Sequence, residues 1–151
     1  MKLLVALTAV LGLAHAQTKL THSQAVSRLQ AAGISHVSSG GCSDRNVRTC
    51  TSFDQVNEVT IAGAVTLKRA CGCSLVITGG TETGHASGTY SHWNGYKLDF
   101  RKDTGINSYV TNTFTRIANR GDGYPQWQAA SGNIYCDEGS HWDVTFKTDG
   151  S

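Results

Sequence analysis

The stretch SHWNGYKLDF places a histidine, His92, seven positions before an aspartate, Asp99, with Asn94-Gly95 between them. A fully extended chain would separate the two side chains by roughly 23 Å, at about 3.3 Å per residue. Asn-Gly is typical of tight turns because both positions tolerate positive φ. A reversal there would return His92 to the strand that carries Asp99, so the spacing predicts two side chains that share one partner.

A second pair of the same chemical type lies near the end of the chain. Glu138 precedes His141 by three residues, and His141 begins the alternating segment HWDVTFK. Two imidazoles, one carboxylate and a water molecule form the shell of a catalytic zinc ion. We therefore predict Zn2+ bound by His92, Asp99 and His141. Glu138 is the candidate general base, because it is a nearby carboxylate that the metal does not need as a ligand.

Simpler interpretations exist for these residues. His92 with Asp99 alone is also the pattern of an ion pair that stabilises a turn, and metal binding is favoured over it only when the Glu-x-x-His pair is added. Trp93 and Trp142 lie beside two of the proposed ligands. We expect both to be packing residues, and a wall of a glycan or peptide groove is the alternative.

The arrangement H-x6-D followed by E-x-x-H resembles the LAS metallopeptidases, the family of D-Ala-D-Ala carboxypeptidases and dipeptidases, phage endolysin endopeptidases and Hedgehog signalling domains. SHWNGYKLD is similar to the family pattern S-x-H-x-x-G-x-A-x-D, and EGSHWD is similar to E-x-W-H-W. The resemblance covers about residues 22–147. It implies zinc ligands at His92, Asp99 and His141, a base at Glu138, and hydrolysis of stem peptides in bacterial peptidoglycan.

The chain departs from that family in the loop before the site. The family carries an arginine after the preceding strand, where it polarises the scissile carbonyl, and this chain has Thr81 in that place. His85 lies in the Gly-rich loop that follows. We predict His85 as the catalytic donor that replaces the arginine. Arg101, on the strand face of Asp99, is the alternative, and a solvated loop histidine is the simpler interpretation of His85.

The elements that position these residues follow from capping and hydrophobic periodicity. Three helices are predicted, from Thr21 to Gly33, from Ser52 to about Gly72 and from Thr104 to Arg120. The first two open on Ser or Thr followed three residues later by Gln, which is a capping-box pattern. Residues 74–78 predict a buried strand, and later strands alternate with period two, as in YKLDF and HWDVTFK. We therefore predict a single α+β domain, with an antiparallel sheet that carries the zinc site and helices packed on it.

Residues 1–16 have the three parts of a secretory signal, a basic start, a short apolar run and the small-x-small site Ala14-His15-Ala16. The apolar run is too short to anchor the chain across a bilayer. A buried N-terminal helix is the alternative. We therefore predict a secreted, extracellular protein without a membrane anchor, whose mature domain comprises residues 17–151.

All five cysteines follow that segment, and a secreted chain of this size is expected to use them in disulfides. Cys42 and Cys50 flank a short polar loop and are the expected local pair. Cys71 and Cys73 are too close to be natural partners, so we expect one of them to pair with Cys136 and the other to be a free thiol. A Cys-x-Cys metal site is the alternative, although no second close pair at zinc-finger spacing accompanies it.

The charge pattern narrows the function classes. The formal net charge is +2 at pH 7 and no block of like charges occurs. The chain therefore lacks the basic stripe of a nucleic-acid-binding protein, which disfavours a metal-dependent nuclease. Two classes remain, a monomeric zinc peptidase acting on bacterial cell-wall peptide or peptidoglycan, and a non-catalytic zinc-containing binding module of the same fold. The residues alone imply metal-assisted hydrolysis, and the substrate class rests on the resemblance.

Overall fold

A computed structural model describes residues 17–151, so the predicted signal segment 1–16 lies outside the described residues. The elements follow one another in the order β1 (Lys19–Leu20), α1 (His22–Ala31), β2 (Ser35–His36), β3 (Val56–Asn57), α2 (Glu58–Cys71), β4 (Val76–Gly79), β5 (Lys97–Arg101), α3 (Thr104–Thr113), β6 (Thr115–Ile117), β7 (Gln126–Gln128), β8 (Ile134–Asp137) and β9 (His141–Thr145). Among residues 17–151, no helix has both the length and the apolar character that crossing a membrane requires.

Seven of the strands form one sheet in the order β2-β4-β5-β9-β8-β7-β6, and β1 pairs with β3 in a small second sheet. Only the β2–β4 pair of the large sheet is parallel, and its other pairs are antiparallel. Strands β5 and β9 lie near the centre and pair along their whole length. The predicted α+β class is confirmed, as a single domain whose described residues form a mostly antiparallel sheet and three helices.

The two central strands separate the core from the polar site by simple alternation. Leu98 and Phe100 of β5, with Trp142 and Val144 of β9, belong to the buried core cluster that also contains the apolar side chains of the helices. Side chains of a strand point alternately to opposite faces. The intervening residues of both strands, Asp99 among them, therefore face away from the helices. The predicted faces of YKLDF and HWDVTFK are confirmed.

The predicted start of the second helix at Ser52 is wrong. The Ser52 side chain accepts a hydrogen bond from the backbone of Asp54, and Gln55 has a φ of 64°, in the left-handed region. The next two residues pair with β1, and α2 begins only at Glu58. The local capping pattern is therefore overridden by strand pairing with a distant segment.

The predicted end of the third helix at Arg120 is also wrong. The helix α3 ends at Thr113, and Phe114 is extended, with φ −94° and ψ 164°. Residues Thr115–Ile117 pair with β7 as the edge strand of the sheet. Pairing across the sheet satisfies their backbone groups and overrides the apolar periodicity that favoured a longer helix.

The disulfide prediction is half right. The Cys42–Cys50 disulfide is confirmed, but Cys71 pairs with Cys73 and Cys136 is free and buried. Gly72, between the paired cysteines, has φ 57° and ψ 20° at the end of α2, and this turn brings their Cα atoms to 5.1 Å. Such a left-handed turn is one that glycine adopts readily.

Candidate metal centre

The turn between β4 and β5 brings His92 beside Asp99. Gly95 has a φ of 87°, and its backbone N–H donates to the His92 carbonyl oxygen at 2.9 Å. The predicted reversal at Asn94-Gly95 is therefore present. The His92 Nε2 atom lies 3.2 Å from the Asp99 Oδ1 atom, and both side chains are about 5% exposed.

The hairpin of β8 and β9 contributes the other two predicted residues. The backbone N–H of Glu138 donates to the carbonyl oxygen of His141 at 3.0 Å, which closes the turn between the strands. The His141 Nε2 atom lies 3.1 Å from Glu138 Oε1 and 3.5 Å from Asp99 Oδ2. The structure thus brings His92, Asp99, Glu138 and His141 into one cluster.

These side chains line a cleft of about 550 Å³. His92 and Asp99 lie on its buried floor, whereas His141 and Glu138 are 30% and 23% exposed at its mouth. The Gly-rich loop of residues 84–88 forms one wall. A solute can therefore reach the cluster from the side of the Glu-x-x-His pair.

Two buried carboxylates, Asp99 and Asp143, face His92 at the floor of the cleft, and a positive charge is needed to balance them. His92 Nδ1 lies 2.9 Å from the carbonyl oxygen of Gly80, and a carbonyl only accepts, so Nδ1 carries the proton and donates. His92 Nε2 then faces Asp99 Oδ1 and Asp143 Oδ1, at 3.2 and 3.3 Å. Burial tends to lower the pKa of His92, but these two carboxylates raise it to about 10. Either a proton or a bound cation must sit between these atoms.

The residues present fit a divalent metal ion. Two sets of three ligand atoms lie within 4.8 Å of one another in the described chain, one from His85, His92 and Asp99 and the other from Asp99, Glu138 and His141. Among the atoms of residues 17–151, Asp99 Oδ1 is buried and has no hydrogen-bond partner. Imidazole and carboxylate donors of this kind are the ligands that zinc takes at catalytic sites. Asp99 belongs to both sets, while His92 and His141 fall in different ones.

Asp143 is a site residue that sequence reasoning missed. Its Oδ2 atom accepts from Lys97 Nζ and from the Arg120 guanidinium, each at 2.8 Å. Burial tends to raise the pKa of Asp143, but His92 and Lys97 lower it well below its ordinary value. Asp143 shares the strand face of His141, and this alternation was the available sequence signal.

Arg120 supplies a guanidinium to the cleft from the connection between β6 and β7. Besides Asp143, it contacts Glu138 Oε2 at 3.0 Å and Asp122 at 2.7 Å. The sequence analysis predicted Arg120 as the end of a helix and therefore did not predict its position in the cleft. The alternative candidate, Arg101, is exposed and is not among the residues that line the cleft.

His85, the predicted catalytic donor, reaches the same cluster. Its ring stacks on that of His92 with centroids 3.8 Å apart, and its Nδ1 atom lies 3.9 Å from Asp99 Oδ2. Its Nε2 atom lies 2.5 Å from Oε2 of Glu82, a buried carboxylate that sequence reasoning missed. His85 therefore lies over the site in contact with Glu82, and the residue is also exposed to solvent, as the simpler interpretation of a loop histidine expected.

The two tryptophans beside the predicted ligands have different surroundings. Trp142 is 1% exposed and packs in the core, with its indole N–H donating to Asn107 Oδ1 at 2.8 Å. Trp93 is 42% exposed, and the Arg45 guanidinium lies 3.6 Å from its ring centroid. The packing role expected for Trp142 is confirmed, whereas Trp93 lies at the surface.

Comparison with known proteins identifies no relative of this chain. No family model, no curated protein and no solved structure matches it.

Proposed function

We propose that this chain is a secreted zinc-dependent peptidase of the LAS type, which hydrolyses peptide bonds in the stem peptides of bacterial peptidoglycan. One observation carries the hydrolase proposal. A buried imidazole faces buried carboxylate oxygens at the floor of a cleft, and a Glu-His pair stands at its open mouth. The choice of peptidoglycan depends on the resemblance of the two motifs to the LAS pattern.

The floor of the cleft would hold the ion. His92 and Asp99 provide the first two ligands, and the motif resemblance assigns the third to His141. A bound zinc ion would polarise the scissile carbonyl group and make a water molecule more acidic. The cleft has a volume of about 550 Å³, which is enough for a short peptide beside these residues.

Glu138 would act as the general base and then as the general acid. Its Oε2 atom is held by Arg120 at 3.0 Å, and its Oε1 atom faces His141 and the cleft. This arrangement keeps one carboxylate oxygen aimed at the reacting groups. Glu138 then takes a proton from the attacking water and passes it to the leaving amine, the two steps that general acid–base catalysis requires.

His85 would stabilise charge on the carbonyl oxygen. A tetrahedral intermediate needs a donor aimed at its oxyanion, and removal of one such donor typically slows turnover by about 10² to 10³. The stacking of His85 on His92 and its position in the cleft wall support this role. Arg120 is a cationic group that also lines the cleft, where it contacts Glu138 and Asp143.

Two disulfides support the secreted location in this proposal. Both lie in residues 17–151, and such bonds persist in oxidising compartments. The signal-like segment 1–16 supports the same location. We further propose that the protein acts as a monomer on an extracellular substrate.

The second candidate function is a zinc-containing binding module. Thr81 stands where the LAS pattern has an arginine, and the Arg120 guanidinium and the His85 ring already contact carboxylates. These contacts would suit a site that holds a ligand without turning it over. Hydrolysis of peptidoglycan distinguishes the peptidase from the binding module and can be measured.

The discriminating experiment uses residues 17–151 and purified peptidoglycan. A peptidase releases new amino groups without new reducing sugars, and zinc chelation stops the release. The matched control is Glu138→Gln, which should lower the rate by at least about 10² while zinc remains bound. Zinc-dependent retention on peptidoglycan with no release of amino groups, on walls from several bacterial types, would favour the binding module.

A further inference from the structure

A second cavity adjoins the metal cleft along the Gly-rich loop. It has a volume of about 250 Å³, and the residues that line both it and the cleft are 84, 85, 87, 88 and 91. Trp93 and Asn94, which directly follow the proposed zinc ligand His92, line this cavity and not the cleft. A ligand in the cavity would therefore lie beside a molecule bound in the cleft.

Trp93 is fixed in an exposed position at this cavity. The Arg45 guanidinium lies 3.6 Å from the centroid of its ring and also donates to its backbone carbonyl oxygen. Arg45 is not among the residues that line the cavity, so the indole surface at the cavity is not the one that the guanidinium covers. A ring that is held before binding loses little conformational entropy when a ligand arrives, which favours affinity.

Polar groups surround the same cavity. Thr83 and Ser87 are exposed and line it, and a hydroxyl group can both donate and accept a hydrogen bond. The Asn94 side-chain amide donates to the carbonyl oxygen of Gly88 at 2.8 Å. The backbone N–H of Thr83 donates to the carbonyl oxygen of Arg45 at 2.8 Å. These hydrogen bonds join the walls, so the cavity is formed before a ligand binds.

An exposed aromatic ring among hydroxyl groups matches the chemistry of a sugar. One face of a pyranose ring carries C–H groups that pack on an aromatic side chain, and its edge carries hydroxyl groups that need hydrogen-bond partners. Binding sites commonly combine an aromatic surface with a few polar groups that fix the orientation of the ligand. The residues that line the cavity in the described chain include no lysine or arginine, which disfavours an anionic group such as a peptide carboxylate.

We propose that Trp93 and this cavity bind a sugar ring of the peptidoglycan glycan strand, so that the protein prefers stem peptides that are still attached to glycan. The proposal rests on the proposed peptidase function and adds a sugar site to it. The cavity lies beside the cleft, so the sugar and the peptide of one substrate molecule can occupy the two sites together.

Two substrates with the same stem peptide, one linked to its disaccharide and one free, measure the preference. For the zinc-loaded protein, residues 17–151, we expect a KM at least about fivefold lower for the linked substrate, the effect of one anchoring aromatic side chain. Equal KM values for the two substrates would overturn the sugar site and leave the peptidase function standing.

Trp93→Ala should remove this preference. Its KM for the linked substrate should rise at least about fivefold with kcat unchanged, because the ring contributes binding that is equal in the ground state and the transition state. Its zinc content and its kinetics on the free peptide should match the wild type, which separates a lost sugar contact from damage to the neighbouring His92. An equal loss on both substrates would contradict the proposal.

Two further variants serve as controls for the ring. Trp93→Phe should keep most of the preference, because it retains an aromatic surface. Tyr124→Ala removes another exposed aromatic ring, one that is not among the residues lining the cleft or the cavity, and should keep all of it. Loss of the preference in Tyr124→Ala to the same extent as in Trp93→Ala would contradict a specific role of Trp93.

Peptide-free glycan tests the sugar site independently of hydrolysis. Glycan strands from which the stem peptides have been removed should shift the indole N–H signal of Trp93 in NMR spectra and leave that of the buried Trp142 unchanged. Absence of a shift would overturn the sugar site, and tighter binding of chitin oligosaccharides would overturn its assignment to peptidoglycan. A shift without hydrolysis of either peptide substrate would overturn the peptidase function and leave the sugar site standing.

Discussion

His85 stacks on His92 with ring centroids 3.8 Å apart, and both residues lie in the Gly-rich connection between β4 and β5. The buried carboxylate of Glu82 contacts the His85 ring at its Nε2 atom. Glu82 in turn accepts from the backbone N–H groups of Ser52 and Gly80, at 3.0 and 2.9 Å. The loop that lacks the family arginine therefore presents a firmly anchored imidazole to the cleft.

We predict that His85→Ala folds, keeps its zinc and loses turnover by about 10² to 10³, the typical effect of removing one oxyanion donor. The loss should appear in kcat more than in KM, because the donor acts on charge that develops in the transition state. Steady-state kinetics on solubilised stem peptides, with zinc content measured in parallel, checks this. His36→Ala serves as control, since His36 lies on β2 and outside the cleft lining. Full activity of His85→Ala would remove His85 from the site.

Glu82 gives a pH-dependent prediction. Burial tends to raise its pKa, but the hydrogen bonds from His85 and from the backbone of Ser52 and Gly80 lower it below its ordinary value. A carboxyl group whose pKa falls on folding stabilises the protein above its unfolded pKa, about 4.3, and this stabilisation is lost as the pH falls through the folded value. The free energy of unfolding of the wild type should therefore drop in acid.

Glu82→Gln should be less stable than the wild type at pH 7, by about 1–3 kcal/mol, because charged hydrogen bonds are lost. The difference should shrink as the pH falls below the unfolded pKa, about 4.3, and through the lower pKa of the folded wild type, because the carboxyl is then protonated. Urea unfolding of the two proteins across this range measures it. Parallel pH profiles would show that Glu82 carries no such contribution.

The cysteine arrangement predicts one unreactive thiol. Cys136 is 2% exposed, and burial raises the pKa of its thiol to about 11. The native protein should therefore react negligibly with a thiol reagent at pH 8, because the thiolate is the reactive form. One equivalent should react after unfolding without reductant, and none in Cys136→Ala. Three reactive thiols in the unfolded wild type would show that a disulfide of the structure is absent.

The parts of the fold that depend on local pattern could be predicted from the sequence. The period-two alternation around Asp99 and around His141 gave the correct faces of β5 and β9, and Asn94-Gly95 gave the correct turn. Each of these two features is decided by neighbouring residues, which is why one sequence suffices. The approach of His141 to Asp99 depends in addition on the pairing of β5 with β9.

The parts that depend on distant pairing could not be predicted. Residues 115–117 form a strand only because β7 lies beside them, and the start of α2 is displaced because Val56 pairs with Leu20 of β1. The role of Asp143 depends on a strand register, since a shift of one residue would turn its side chain to the opposite face. The position of Arg120 in the cleft could not be predicted for the same reason. Arg120 lies in the connection between β6 and β7, and the pairing of these two strands at the edge of the sheet places it near Asp143.

The most direct test of the account is a zinc titration of chelator-treated protein, residues 17–151, by calorimetry at neutral pH. The account predicts one zinc ion bound per chain, and loss of that binding in His92→Ala, since His92 Nε2 faces both buried carboxylates. Chelator-treated protein that binds no zinc, or a His92→Ala variant that binds it as tightly as the wild type, would contradict the claim that this cluster is a metal site.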